Sequence, residues 1–418
     1  MFDENSSKRQ IFTKKMKKTH TILLPSMLPI HFKFLQRILE NCGYNTKLLE
    51  SKDMHNVIKE GLKYVNNDVC YPAILVIGQF ISALKSKKYD LKRTALLITQ
   101  TGGGCRASNY IHLLRKALNK AGFSKIPVIS LNLSGLEKNP GFKITLPMIK
   151  KMIFALAYGD VLMTLKNTLT PYEKLTGKCS EKVDKWVDII LNDFFKDSIN
   201  FKKFENRLNL ITKDFMSLSL VNRSVTKVGI VGEIYIKYSQ LGNNELVNYL
   251  QDNNCEVCVP GILNFILFKV DNRLDDIRLY GGNIFKKATL TVLIKYIEKI
   301  ESIAISSLSR LQKLKNLSSY KQKKSAVDGM IGYGNKMGEG WLLTAEIIDL
   351  IKKGYKSVVC VQPFGCLPNH ISGKGMLRII KDRFKNANII PLDYDPGASK
   401  TNQENRLNLM LALAKEDM

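Results

Sequence analysis

The stretch Leu96-Leu97-Ile98-Thr99-Gln100-Thr101-Gly102-Gly103-Gly104-Cys105-Arg106 constrains this chain more than any other, because an apolar run ends abruptly in three glycines and a cysteine. Four consecutive β-compatible residues before Gln100 predict a buried strand, and the glycines behind it predict a loop whose backbone can come close to a ligand. Ser108 is placed to cap the next helix, where Tyr110, Leu113, Leu114 and Leu118 recur at helical spacing. In an open α/β sheet, ligands bind beyond the carboxyl ends of such strands, and successive glycine N–H groups favour anionic species there. Gly102, Gly103 and Gly104 are therefore candidate cofactor contacts, and Cys105 is a candidate metal ligand. A phosphate loop is excluded on detail: the chain has no Gly-x-x-x-x-Gly-Lys-Ser/Thr pattern, and this run lacks the Gly-x-Gly-x-x-Gly spacing. For a cysteine taken alone, the alternative is a buried inert thiol.

The rest of the chain alternates in the same α/β style. An apolar segment at Thr21 to Leu24, an amphipathic helix at Phe32 to Asn41, a strand at Thr46 to Glu50 and a helix through Ile58 and Leu62 lead to Asp68-Val69-Cys70-Tyr71-Pro72. Cys70 precedes a helical pattern at Ile74, Ile77, Phe80, Ile81 and Leu84, and Pro72 suits its first turn. The positive end of that helix would favour the thiolate a metal requires. Helical patterns fill Leu146 to Leu220. Val228 to Gly232 then restarts the strand, loop, helix and strand order of the first part, which suggests a duplicated α/β unit. The glycine-rich run Gly329 to Gly340 precedes a helix at Trp341 to Ile351 and reads as either a mobile loop or a ligand-closing loop, with Gly338 as its candidate contact. Next, a strand at Ser357 to Val361 ends in Gln362-Pro363-Phe364-Gly365-Cys366-Leu367-Pro368-Asn369-His370. This repeats both the Gln-then-Gly-Cys order of Gln100 to Cys105 and the Cys-x-Pro pattern of Cys70 to Pro72. The expected fold class is α/β, with a duplicated α/β unit and a helical insert. Its parts are a basic tail at 1–18, a first α/β domain at 19–145, a helical insert at 146–222 and a second α/β domain with a helical region at 223–418.

Composition narrows the function. At 418 residues, 45% of them hydrophobic and 24% charged, the chain can bury sizeable cores. Met1 to Lys18 is polar and lysine-rich, unlike a signal peptide, and reads as a solvated tail of a cytoplasmic protein. The apolar runs at Met148 to Leu165 and Pro260 to Val270 are interrupted by charge or too short for a bilayer, so no membrane partner is expected. The net charge of +27 is spread along the chain without interleaved aromatics, which argues for a solvated lysine surface and against specific nucleic-acid binding. It could still attract an acidic protein or an acidic ligand such as a coenzyme A ester. Eight cysteines are too few for a disulfide scaffold in a chain this long.

Cys70, Cys105 and Cys366 each lie in a loop marked by Gly or Pro at a strand end or helix start, and the three could converge in the crevice between the two α/β units. Three thiolates suit an iron–sulfur cluster or zinc and leave one position open for chemistry. Cys255 and Cys258 have Cys-x-x-Cys spacing, but along a strand their thiols face opposite ways, and they read as structural. Cys42, Cys179 and Cys360 read the same way. His370 is either a hydrogen-bond donor to a cluster or ligand, or an ordinary loop histidine.

Several separate segments now occur in one order: Asp68 to Pro72, Gln100 to Arg106, Gly232-Glu233-Ile234-Tyr235 with Leu241 to Asn244, Gly338-Glu339-Gly340-Trp341-Leu342, Gln362 to His370, and Asp393 to Gly397 with Asn402 to Arg406. Together they resemble the 2-hydroxyacyl-CoA dehydratase superfamily, most closely the dehydratase-related portion of CoA-enzyme activase-related proteins, over nearly everything after the basic tail. The resemblance implies a 4Fe-4S cluster on Cys70, Cys105 and Cys366, electrons supplied by a separate ATP-hydrolysing activator protein, and an acyl-CoA or small-molecule substrate. It also implies two Rossmann-like parallel-sheet domains with helical insertions; a homodimer or heterodimer is a separate expectation. The expected function is an iron–sulfur protein using low-potential electrons on a bound substrate, with 2-hydroxyacyl-CoA dehydration as the first candidate reaction. The alternatives are a small-molecule reductase of the double-cubane type, an electron carrier and a zinc-stabilised binding module.

Overall fold

The computed structural model describes residues 9–50, 53–100, 103–132, 137–196 and 199–416, which divide into two compact units, 1–149 and 150–418. The first unit runs α1 (Met16–Thr19), β1 (Thr21–Leu24), α2 (Pro29–Asn41), β2 (Asn45–Leu48), α3 (Met54–Tyr64), α4 (Tyr71–Lys85), β3 (Thr94–Thr99), α5 (Tyr110–Lys120) and β4 (Val128–Leu131). All its strand pairs are parallel, in the order β2-β1-β3-β4. β3 is central and buried along all but its last residue, as an uninterrupted apolar run in a parallel sheet must be. Helix α4 is apolar nearly all round and accordingly buried from Tyr71 to Ile81. It meets α3 backbone to backbone, since a β-carbon on Gly78 would stand 2.0 Å from the Val57 carbonyl oxygen and one on Gly61 would stand 2.3 Å from that of Ile74.

The second unit holds three helices, α6 (Leu146–Leu169), α7 (Lys178–Lys196) and α8 (Phe201–Met216), of which α6 starts just before the unit does. They are followed by β5 (Thr226–Gly232), α9 (Ile234–Tyr238), α10 (Leu246–Asp252), β6 (Cys255–Cys258), α11 (Ile262–Tyr280), α12 (Ile284–Leu308) and α13 (Tyr320–Ser325). α14 (Trp341–Lys352), β7 (Ser357–Pro363), α15 (Leu367–Ser372), α16 (Leu377–Arg383), β8 (Asn388–Tyr394) and α17 (Lys400–Glu416) complete it. Its sheet is again wholly parallel, in the order β6-β5-β7-β8. The two sheets share one topology, so the expected α/β class with two parallel-sheet domains is what the chain adopts.

The helical segment is fastened to the second sheet by buried polar groups. Glu256 on β6 accepts hydrogen bonds from the hydroxyls of Tyr172 and Tyr355, each at 2.6 Å. Asp160 on α6 accepts from the backbone N–H of Ile262 and of Leu263, each at 2.9 Å, and so caps α11 from outside its own sequence neighbourhood. Gly261 leaves room for that carboxylate, because a β-carbon there would come within 2.4 Å of Asp160 Oδ2.

Two expectations are corrected. Residues 9–18 are not a solvated tail: Phe12 is fully buried, Gly141 N–H donates to the Phe12 carbonyl at 2.9 Å, and Arg9 donates to the Lys138 carbonyl at 2.7 Å. One large apolar side chain among the lysines is enough to dock the segment. Ser108 does not cap α5, because residues 106–109 form a 3-10 turn first and its hydroxyl donates to the Gly103 carbonyl at 2.5 Å. Among the described residues, no helix is long and apolar enough to cross a membrane.

Candidate functional site

In an order such as β2-β1-β3-β4, the connections leave the first strand in opposite directions, so the switch point lies at the carboxyl ends of β1 and β3, and likewise of β5 and β7. The two candidate cysteine loops that follow a strand leave from these places. Beyond β3, Gln100 accepts from the Ser130 hydroxyl of β4 at 2.7 Å and donates to the Ser108 carbonyl at 3.4 Å, tying both sides of the glycine loop to the sheet. Beyond β7, the Gln362 amide donates to Asp393 Oδ1 of β8 at 2.5 Å. The same glutamine thus links the third and fourth strands in both units, five residues ahead of Cys105 and four ahead of Cys366.

In the first unit, Cys105 precedes the 3-10 turn and Cys70 is the residue before α4, with Pro72 in that helix's first turn. Their loops meet, because the Arg106 guanidinium donates to the Asp68 carbonyl at 3.2 Å. Gly103 and Gly104 are exposed, and a β-carbon on Gly103 would touch nothing within 4 Å. Gly102 lies outside the described residues. In the second unit, Cys366 is the residue before α15, again followed by proline in the first turn, and His370 is half-buried four residues further on. Among the described residues, no group of three or more His, Cys, Asp or Glu side chains gathers as a metal-holding set. The expected ligands are divided two and one between the units.

The cysteines fall into distinct classes. Cys70, Cys105 and Cys366 are half-buried, as are Cys42 and Cys258, whereas Cys179, Cys255 and Cys360 are buried. Burial pushes the Cys179 thiol up strongly and raises Cys255 to about 11 and Cys360 to about 12. Cys258, within the second sheet, is likewise raised by burial to about 11. Thiols that resist ionisation are poor metal ligands, and these four suit the structural role their sequence context suggested. Cys255 and Cys258 lie on one strand, where alternate pleating turns them apart.

The glycine-rich loop packs against α15, the helix that Cys366 precedes. Gly338 (φ +55°) lies against α15, where a β-carbon would be 3.0 Å from Pro368 Cβ, and its carbonyl accepts from the Lys269 ammonium. Gly340 (φ +48°) could not carry a side chain either, since a β-carbon would sit 2.0 Å from the Asn335 carbonyl. Trp341 N–H closes the loop onto that same carbonyl at 2.7 Å.

Between these glycines stands a group the sequence reading left without a role. Glu339 is buried and accepts from Ile234 N–H at 2.9 Å, while Glu233 caps α9 by accepting from Ile236 N–H at 2.9 Å. With its amide oriented to satisfy both neighbours, fully buried Asn369 of α15 donates to Glu339 Oε2 at 3.3 Å and accepts from Glu233 N–H at 2.9 Å. Desolvation and the charge of Glu339 raise the Glu233 carboxyl above its ordinary 4.5, and burial raises Glu339. Neighbouring carboxylates deprived of water hold a proton more tightly than either would alone. The available signal was local: each is the acid of a Gly-Glu dipeptide, a backbone free to turn beside a titratable group.

The raised Glu233 has a consequence for stability. Its folded form keeps a proton that the unfolded chain releases above pH 4.5, so stability falls as pH rises from that value through the folded one, and is level beyond it. Urea unfolding at pH 5 and pH 8 is expected to show a loss of roughly 1–3 kcal/mol in the wild type. Glu233→Gln should lose much less, and equal losses in both proteins would refute the assignment.

No protein-family model matches the chain, and no curated protein matches it.

Proposed function

We propose that the chain is an iron–sulfur protein of an ATP-driven, low-potential electron-transfer system, with Cys70, Cys105 and Cys366 as thiolate ligands of a 4Fe-4S cluster and 2-hydroxyacyl-CoA dehydration as its reaction. One observation carries this reading: the three cysteines singled out by their motifs are half-buried and each stands directly before a helix or turn, whereas Cys42, equally half-buried, follows α2, Cys258 closes β6, and Cys179, Cys255 and Cys360 are buried. The donor set fits the group in kind, since thiolates are the ligands such clusters take. When bound, the cluster supplies a low-potential electron and an iron able to polarise a substrate oxygen.

The chain's own residues do the rest. Gln100 and Gln362 hold the cysteine loops to their sheets, and the positive end of α4 favours the thiolate at Cys70. The carboxyls of Glu233 and Glu339, raised by burial at the carboxyl edge of the second sheet, are the groups proposed to move the proton a dehydration needs, and Asn369 ties that pair to the helix of Cys366. The net charge of +27 favours encounter with an acidic activator or with the phosphates of a coenzyme A ester. The reading places the chain in the cytoplasm.

Anaerobic purification tests it. A brown protein with about four irons and matching sulfide per chain is expected. Colourless protein carrying zinc would instead establish the zinc-stabilised module.

A further inference from the structure

Helices α11 and α12 pack as a hairpin whose end is a short, well-defined turn. Gly281 (φ +78°) terminates α11, and the Asn283 side chain caps α12 by accepting from Phe285 N–H at 2.8 Å and Lys286 N–H at 3.1 Å. Every residue from 278 to 289 is exposed. The apolar ones are nearly bare: Tyr280 is 77% exposed, Ile284 80% and Phe285 84%, with Leu279 beside them at 53%. Such a concentration of large apolar side chains is not ordinary surface. The charge at the very end of the hairpin is one-sided as well. No Asp or Glu occurs between Asp276 and Glu298, and Lys286 and Lys287 follow the apolar residues, while at the base Arg278 pairs with Asp275 at 3.2 Å and Lys336, 5.7 Å from the Tyr280 ring centre, pairs with Asp276.

From this we infer that the α11–α12 tip docks on an anionic lipid surface, with Ile284 and Phe285 entering the interface and Lys286 and Lys287 at the headgroups. A second copy of the chain is disfavoured, because a two-fold contact would bring these cations against their own copies. An acidic protein would meet one face of the hairpin, whereas here apolar groups stand on both helices and around the turn, a shape that a fluid interface envelops. Basic residues flanking aromatic and aliphatic ones are the composition of interfacial segments, each cation adding attraction to anionic headgroups. The inference is independent of the cysteines.

Co-sedimentation of the full chain with extruded vesicles tests it, using phosphatidylcholine alone and phosphatidylcholine with about one-third phosphatidylserine. Wild type is expected to bind the anionic vesicles, less so at high salt, and to leave the neutral ones. The double variant Ile284→Ser with Phe285→Ser should bind roughly tenfold more weakly. Phe285→Trp gives a second readout, because Trp186 and Trp341 are buried and the new indole should shift to the blue only with anionic vesicles. Failure of wild type to bind anionic vesicles would overturn the inference, as would equal binding by the serine variant, which would assign the attraction to overall charge. A wild-type dimer in light scattering that the serine variant abolishes, without vesicle binding, would assign the tip to a second copy instead.

Discussion

Cys70→Ser, Cys105→Ser and Cys366→Ser are each expected to lose more than half of the iron and sulfide that the wild-type chain takes up on anaerobic reconstitution, together with its brown colour. Serine keeps the size of the side chain but offers a hydroxyl in place of the thiolate that iron prefers. Cys255→Ala and Cys360→Ala are the matched controls. Their thiols are buried and held neutral, so these changes should cost some packing stability and leave the iron content unchanged. Unchanged iron in all three serine variants would reject the ligand set. Iron lost from Cys70→Ser and Cys105→Ser but kept in Cys366→Ser would restrict the centre to the first unit, where the Arg106 guanidinium already joins the two cysteine loops.

The second large effect is on stability. Gly78→Ala should destabilise the chain by about 2 kcal/mol in urea unfolding, although the substitution favours a helix intrinsically by about 1 kcal/mol. The sign is decided by the 2.0 Å approach to the Val57 carbonyl, a backbone atom that cannot move without shifting the whole of α3. Overpacking of that kind costs up to about 3 kcal/mol, so the clash outweighs the propensity. Gly103→Ala, with nothing within 4 Å, should stay within about 0.5 kcal/mol of wild type. Because α4 begins directly after Cys70, Gly78→Ala should also weaken iron retention, whereas Gly103→Ala should not. A neutral or stabilised Gly78→Ala would mean that the two helices do not cross this closely.

Much of this arrangement could be read from the residues alone. The apolar run before Gln100 became β3, the glutamine that precedes Gly-Cys recurs as Gln362, and both side chains bond across to the next strand. Cys-x-Pro announced two helix starts, since proline fits a first turn whatever follows. What escaped was set by distant partners. Nothing near Phe12 signals that it will be buried beside Gly141, and nothing near Asp160 signals a helix that starts at Ile262. Glu233 and Glu339 stand in segments that were noticed, but the two acids meet only because Ile234 N–H donates to Glu339, 105 residues further along the chain. The Ser108 cap failed because a 3-10 turn intervened, a choice between local geometries that spacing does not decide.

The carboxylate of Asp160 has a practical bearing on dissecting the protein. A shortened chain begun at β5, keeping the whole second sheet, would expose the first turn of α11 without its acceptor and leave buried Glu256 with the Tyr355 hydroxyl but without that of Tyr172. The three helices before β5 are therefore not a removable ornament, and a fragment meant to report on the Cys366 loop should start ahead of α6.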